Sequence, residues 1–347
     1  MHLWRNIMSH ETYQCVVKTT KYGIWVIVFA LVFLSCNRDP RYNPVSPELD
    51  IRSNRSAASP AAVTQPTFVR TWGTLGSGPG EFNDPCGIAV DSRGYVYVTE
   101  LDNSRVQKFD TDGNFVLMWG REGYNRGEFF FPRGIAIDKN DNVLVVDSGN
   151  HRVQRFASDG TWLDSWGNEG SGEGELSQPH NIAVDRRGKF WITDTFNDRI
   201  QLFNARGKFF RQYTLGESVT GGLYKPEGIA AGEDGSVYIS EPLNDRILKL
   251  DKKGNFLLSW GTRGTAGGQF DRPRNIAIDI TGTIHVVDVN NHRVQMFDAD
   301  GHFLGEWGSE GSGDGEFSFP RGIACDVNGN IFVADLYNHR IQKFSIK

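Results

Sequence analysis

One motif recurs six times along this chain at a constant spacing, and it constrains the fold more than any other feature. Each copy begins with an acidic residue, places an asparagine three residues later, and places an arginine two residues after that. Successive copies are 47 residues apart, as the positions of the acidic residue show: Glu100, Asp147, Asp194, Glu241, Asp288 and Asp335. A fixed period of this length is typical of repeat proteins built from one supersecondary unit.

Each unit contains four short stretches with the composition of β-strands. In the second unit these stretches are residues 134–138, 143–147, 153–156 and 162–166, and a hairpin-turn signal, Asp159 and Gly160, separates the last two. Four short strands per repeat, joined by turns, predict a four-stranded antiparallel propeller blade.

The six units predict a closed ring of six blades. Each unit starts at a proline: Pro85, Pro132, Pro179, Pro226, Pro273 and Pro320. The sixth unit stops after its third strand, at Phe344, and residues 68–73 align with residues 115–120 one period later. We therefore predict that the N-terminal strand completes the last blade and leaves no unpaired edge. The predicted fold class is all-β, a six-bladed β-propeller of four-stranded antiparallel blades over residues 67–347.

Residues 1–35 have the pattern of a signal peptide. Lys18 and Lys21 precede an apolar run, residues 22–34, which is shorter than the roughly 20 residues of a membrane-spanning helix. The ending Leu34-Ser35-Cys36 resembles a bacterial lipobox, which implies that Cys36 is lipidated. Ordinary cleavage and an uncleaved anchor are the alternatives. All three predict a protein outside the cytoplasm, on the periplasmic or cell-surface side of a bacterial membrane.

Residues 36–66 are predicted to be a flexible tether, because several prolines and many small polar residues leave little apolar surface to bury. The formal net charge of the chain is −5, and residues 1–35 contribute +2 (three cations and Glu11), so the remainder carries −7. An acidic remainder argues against nucleic acid as a partner. The cysteines outside the leader, Cys86 and Cys325, do not form a disulfide framework.

The repeat itself resembles a known family. The unit Asp-x-x-Asn-His-Arg-Val-Gln, preceded by Pro-x-Gly-Ile-Ala-Val-Asp, looks like the NHL repeat, and the resemblance covers about residues 67–347. It implies a six-bladed NHL β-propeller, but a fold does not by itself imply an activity.

Residues present in every blade are expected to be structural. We predict that each motif arginine pairs with an acid and that each motif asparagine bonds the loop backbone. The histidines of the motif loops, His151, His292 and His339, lie on three different blades and should not converge on one metal ion. Apolar residues before the repeat prolines are predicted to wedge between blades: Phe82, Phe129, Leu176, Leu223, Phe270 and Phe317.

Function is sought at positions where the blades differ. The residue after each repeat proline should line one mouth of the central channel: Cys86, Arg133, His180, Glu227, Arg274 and Arg321. Three arginines and a histidine could bind a carboxylate, a phosphate or an acidic side chain; alternatively, they are solvated or pair with Glu227. Loop tips on the same face should extend a binding surface or pack on their neighbours: Phe196, Leu243 and Tyr337.

The sequence therefore favours a membrane-tethered, extracytoplasmic binding or scaffold module. Its top face would bind an unknown protein or an anionic ligand, without a cofactor. The alternative is an enzyme that resembles the peptidyl-hydroxyglycine amidating lyases, which are NHL propellers with a histidine-bound zinc, or a lactonase-type hydrolase. Pro179-His180 matches a metal-site motif of those lyases. His180 is the one candidate ligand of this kind, whereas catalytic zinc needs three protein ligands, so no metal is predicted.

Overall fold

The computed structural model describes residues 64–216 and 221–346. The predicted signal peptide, Cys36 and nearly all of the predicted tether lie outside these residues. The described residues form six four-stranded antiparallel sheets, which confirms the predicted six-bladed β-propeller. None of their helices is long and apolar enough to cross a membrane.

The first three blades each contain four consecutive strands, ordered from the channel outwards. Blade one is β2 (Pro85–Val90), β3 (Val96–Glu100), β4 (Arg105–Phe109) and β5 (Phe115–Trp119). Blade two is β6 (Pro132–Ile137), β7 (Val143–Asp147), β8 (Arg152–Phe156) and β9 (Trp162–Trp166). Blade three is β10 (Ile182–Val184), β11 (Phe190–Asp194), β12 (Arg199–Phe203) and β13 (Phe209–Tyr213).

Blades four and five repeat this arrangement, and blade six borrows its outer strand from the start of the domain. Blade four is β14 (Ile229–Ala231), β15 (Val237–Glu241), β16 (Arg246–Leu250) and β17 (Phe256–Trp260). Blade five is β18 (Pro273–Ile278), β19 (Ile284–Asp288), β20 (Arg293–Phe297) and β21 (Phe303–Trp307). Blade six is β22 (Pro320–Cys325), β23 (Asn330–Asp335), β24 (Arg340–Ser345) and β1 (Thr67–Trp72). Short 3-10 helices occupy four motif loops: Ser148–Asn150, Thr195–Asn197, Val289–Asn291 and Leu336–Asn338.

Strand β1 closes the ring as predicted. It runs antiparallel to β24, with Phe68 opposite Phe344 and Trp72 opposite Ile341. The Trp72 ring packs between Phe109 of blade one and Phe332 of blade six, with ring centroids 5.9 and 6.2 Å away. One N-terminal strand therefore both completes blade six and joins it to blade one.

The strand directions define two faces of the propeller. In blade one, Pro85 lies opposite Glu100, Glu100 lies opposite Arg105, and Trp119 pairs with the next residue of β4. The repeat prolines, the motif loops and the connections between blades therefore lie on one side, which we call the top face. The opposite side, the bottom face, carries the remaining turns, and Thr67 lies there because it pairs with Ser345 at the bottom end of β24.

The core consists of apolar layers between neighbouring blades. Phe129, for example, is fully buried with Val106 of blade one and with Val145 and Phe156 of blade two. The equivalent residue of every blade is 0 to 6% exposed, which confirms the predicted wedges: Phe82, Phe129, Leu176, Leu223, Phe270 and Phe317. Burying one such side chain stabilises the fold by about 1.5–3 kcal/mol, so these wedges hold the blades together.

The acid–asparagine–arginine motif forms a buried network within each blade. In blade two the carboxylate of Asp147 accepts hydrogen bonds from Nε of Arg152 (2.8 Å), Nδ2 of Asn150 (2.9 Å) and Nε2 of Gln154 (3.0 Å). Nδ2 of Asn150 also donates to the carbonyl of Gly123. The arginine pairs with the acid of its own blade in all six copies. The predicted structural role of the motif is confirmed.

The residue before each repeat proline has left-handed backbone, with φ between 41° and 59°: Asp84, Phe131, Gln178, Lys225, Arg272 and Phe319. In four blades its N–H donates to the side chain that follows the motif asparagine of the preceding blade. The pairs are Gln178 with His151, Lys225 with Asp198, Arg272 with Asp245, and Phe319 with His292. His151 and His292 therefore serve as links between blades, consistent with the structural role expected for them.

Candidate functional site

Side chains from different blades meet at the top mouth of the channel. Oε2 of Glu227 lies 3.0 Å from Nη1 of Arg274 and 3.4 Å from Nδ1 of His180. These three side chains are only 12 to 15% exposed. In blades three and four the mouth residue lies just before the innermost strand, β10 or β14. The N–H of His180 nevertheless donates a hydrogen bond to the carbonyl of Thr193 in β11. The backbone therefore fixes the imidazole beside the carboxylate.

Burial and the neighbouring positive charges both disfavour the protonated form of the His180 imidazole. Burial lowers its pKa well below the ordinary value of 6.5, and the positive charges of Arg133, Arg274 and Arg321 lower it further. With three guanidinium groups, the Glu227 carboxylate and a neutral imidazole, the formal charge of this cluster is +2. We call the five residues the mouth cluster.

A polar floor, which the repeat pattern did not predict, lies directly below the mouth cluster. Nδ2 of Asn181 donates to Oδ1 of Asn275 over 3.0 Å, which joins blade three to blade five. The other four blades have glycine here: Gly87, Gly134, Gly228 and Gly322. A Cβ on any of these glycines would collide with the next blade. Two asparagines at a position otherwise reserved for glycine were the available sequence signal.

The channel continues below this floor as a cavity of about 220 Å³. Apart from Asn181 and Asn275, its lining residues are small or aliphatic, and they include Ala89, Ile135, Ile276 and Cys325. Burial raises the pKa of the Cys325 thiol well above its ordinary value. Cys325 and the buried Cys86 are both free thiols, and a protonated thiol is a poor nucleophile.

The three predicted loop tips lie on the top face and are exposed. Phe196 is 51% exposed, Leu243 36% and Tyr337 49%. Nζ of Lys225 lies 4.8 Å from the centre of the Phe196 ring, and the Tyr337 ring lies 4.9 Å from that of Phe319. Lys225 and Phe319 each stand two residues before a mouth residue, so these aromatic contacts border the mouth.

Acidic connections flank the mouth on opposite sides of the ring. Residues 167–178, between blades two and three, include Glu169, Glu173 and Glu175 and no cation. Residues 308–319, between blades five and six, have carboxylates at the equivalent positions, again without a cation. The top face therefore has a positive centre and two negative flanks.

The mouth does not match the zinc site of the amidating lyases. His180 is the single imidazole of the mouth cluster, and Glu227 already contacts Arg274. Within residues 64–216 and 221–346, no group of three or more His, Cys, Asp or Glu side chains is placed to hold a metal ion. We therefore derive no metal-dependent step for this site.

Comparison with protein families gives the repeat its name. The model of the NHL repeat matches residues 82–109, 129–156 and 317–344. These segments run from the wedge phenylalanine through the third strand of blades one, two and six. The chain carries NHL repeats. In the structure, blades three, four and five have the same four-stranded architecture as the three blades that match the NHL repeat.

A curated relative shares part of the NHL sequence. Protein lin-41 from Caenorhabditis elegans is 47% identical over 66 residues, which is 19% of this chain. The match spans 6% of the length of that relative. It supports the repeat assignment and transfers no activity.

Solved structures with the same fold include enzymes and a protein of unknown function. Virginiamycin B lyase from Staphylococcus aureus superposes with a TM-score of 0.55 at 17% identity, covering 76% of this chain and 95% of its own. A gluconolactonase from Xanthomonas campestris gives 0.59 at 17%, covering 83% and 98%. A Bacteroides thetaiotaomicron protein of unknown function gives 0.61 at 19%, covering 79% and 74%. At these identities the likeness to this NHL propeller concerns the fold alone.

Proposed function

We propose that this NHL propeller is a binding module that takes an anionic ligand at the mouth cluster of its top face. The observation that supports this is the contact of Arg274 and His180 with Glu227 at the mouth, where blades two and six add Arg133 and Arg321 at the equivalent positions. Guanidinium groups suit carboxylates and phosphates because their planar forks donate two parallel hydrogen bonds. Partial burial strengthens such bonds, since water screens the charges less.

The charge distribution favours a small or chain-terminal anion over a long polyanion. A nucleic acid or acidic polymer lying across the top face would meet the exposed carboxylates of Glu169 and Glu173 on one side and of Glu310 and Asp314 on the other. A ligand that enters end-on along the channel axis meets the positive centre alone. The bound group is therefore a single anionic head, on a small molecule or at the end of a partner chain.

Thermal unfolding of the full-length protein with a panel of organic and inorganic anions tests this proposal. A ligand that binds the native state and not the unfolded chain raises the Tm, and the Tm keeps rising with the logarithm of the ligand concentration above Kd. We expect at least one anion to do so beyond matched sodium chloride, and Arg133→Gln to reduce the shift. Arg206→Gln is the control, because Arg206 is exposed on the bottom of blade three. A panel in which no anion exceeds sodium chloride would refute the proposal.

A second candidate is a lyase or lactonase that uses His180 as general base. The observation that favours it is the 3.4 Å distance between Nδ1 of His180 and the Glu227 carboxylate, because a neighbouring carboxylate orients an imidazole that acts as a general base. Assays with lactones and cyclic depsipeptides, repeated with His180→Ala, test this activity. Turnover that survives in the variant would assign it to another site or to a contaminant. Stoichiometric zinc that is lost in His180→Ala would instead favour the amidating-lyase alternative.

We also propose that the propeller is tethered outside the cytoplasm through Cys36. In support, the ending Leu34-Ser35-Cys36 resembles a bacterial lipobox. Metabolic labelling with an alkynyl fatty acid, compared with Cys36→Ser, tests lipidation. Equal labelling of both proteins would count against Cys36 as the anchor.

A further inference from the structure

The mouth cluster holds hydrogen-bond acceptors as well as positive charge. Oε2 of Glu227 is buried and receives no aligned hydrogen bond from the described residues, although Nη1 of Arg274 and Nδ1 of His180 are near. One ring nitrogen of a neutral imidazole is also an acceptor. A carboxylate has about four acceptor sites, more than its contacts with Arg274 and His180 occupy, so a well-matched ligand supplies donors together with its negative charge.

The floor of the site adds a second polar layer. Asn181 and Asn275 present amide groups immediately below the acceptors, and their mutual hydrogen bond lies across the channel. A ligand held here stays at the mouth and meets polar groups on its inner side. An alkyl tail pointing inward would meet these amides before it reached the aliphatic part of the channel.

We propose that the ligand of the mouth cluster is a hydroxy acid, the class that includes aldonates and uronates. This inference rests on the proposed anion site and narrows its ligand. The carboxylate binds the guanidinium groups, and the hydroxyl groups donate to Glu227 and His180. No covalent step is involved.

Other anion classes fit this cluster less well. An alkyl carboxylate pairs with the arginines but offers no hydroxyl group to the remaining acceptor sites of Glu227 and His180. Sulfate has charge and no hydroxyl group. An amino acid has donors, but its ammonium group would enter a cluster whose formal charge is +2, where it is repelled.

Calorimetric titration of the full-length protein with gluconate, hexanoate, glutamate and sulfate tests this inference. We expect gluconate to bind at least about tenfold more tightly than hexanoate, since sites built around a hydroxyl group reject analogues that lack one. Glu227→Ala should remove that preference while hexanoate still binds. If this variant does not fold, Glu227→Gln keeps the side-chain volume and should reduce the preference. Arg206→Gln is the control and should leave all four affinities unchanged.

The outcomes separate this inference from the proposed function. Equal affinity for gluconate and hexanoate, or tighter binding of glutamate or sulfate, would overturn the hydroxy-acid inference and leave the anion site standing. A preference for gluconate that persists in both Glu227 variants would overturn the assigned role of Glu227. Binding of none of the four anions would overturn the inference together with the anion site they share.

Discussion

Asn181 of blade three donates a 3.0 Å hydrogen bond to Asn275 of blade five, across a channel that separates the two blades. Most other contacts between blades join neighbours in the ring, whereas this bond is a strut between blades that are not adjacent. We expect a coupling of about 1 kcal/mol between Asn181→Ala and Asn275→Ala, because a typical net hydrogen bond has this value. Urea unfolding of the two single variants and the double variant measures it. Strictly additive losses would mean that the strut does not contribute to stability.

The motif arginines should be among the most sensitive positions. Arg293 is 6% exposed and bonds Asp288, which is fully buried. Arg293→Ala leaves that carboxylate without its cation, so we expect a loss of about 3–5 kcal/mol in the free energy of unfolding. Arg263→Ala is the matched control, because its 77% exposed side chain only approaches Asp271 at 3.7 Å; we expect a change within about 0.5 kcal/mol. Similar losses in the two variants, measured by chemical denaturation, would contradict the buried network.

The depressed pKa of His180 predicts a pH dependence of stability. The unfolded chain protonates this imidazole near 6.5, whereas the folded protein does so only at lower pH. The unfolded state therefore binds more protons below about pH 7, and stability falls as the pH decreases through this range. His180→Gln should flatten the profile of Tm between about pH 5.5 and 8.

His302 provides a control of opposite sign for this pH profile. The hydrogen bond that Nδ1 of His302 donates to the Asp298 carboxylate raises the pKa of His302, so its contribution to stability is present at low pH and disappears as the pH rises. His302→Gln should therefore steepen the loss on the acid side, and only slightly, because His302 is largely exposed. A His180→Gln profile that runs parallel to the wild-type profile would contradict the assignment.

Closure by β1 predicts a sharp dependence on where the domain begins. A protein starting at residue 64 keeps β1, whereas one starting at residue 74 leaves β24 as an open edge and removes Trp72 from its place between Phe109 and Phe332. We expect the longer protein to be monomeric with a single thermal transition. The shorter one should aggregate or melt at much lower temperature, because an unpaired edge recruits other chains. Size-exclusion chromatography and calorimetry distinguish these results, and a stable monomeric short form would contradict closure.

Much of this fold could be predicted because its determinants repeat. The motif acids, the wedge residues and the repeat prolines each appear six times, so a local pattern fixed blade number, strand order and closure. Because His151 and His292 lie on different blades, the repeat pattern also predicted that they would not bind one metal ion together. Each of these histidines accepts a hydrogen bond from the N–H of a residue with left-handed backbone in the next blade, Gln178 or Phe319. The sequence did not predict these bonds, because glutamine and phenylalanine give no sign of a left-handed conformation.

The interior of the mouth was less predictable, because it depends on how different blades face one another. The position after each repeat proline predicted which residues would line the mouth. The contact between Glu227 and both His180 and Arg274 depends on side-chain directions across the channel, and so does the neutral state of His180. The strut of Asn181 and Asn275 follows from the same geometry.

The pairing of Thr67 with Ser345 places the two ends of the described chain side by side in one blade. In a ring closed in this way, any blade could come first in the chain without a change in the contacts between blades. Joining the ends by a short linker and reopening the chain in another outer hairpin, for instance between Asp112 and Gly113, would preserve every contact around the mouth. Such circular permutants would let any chosen blade emerge first from the ribosome while the same binding face is assembled.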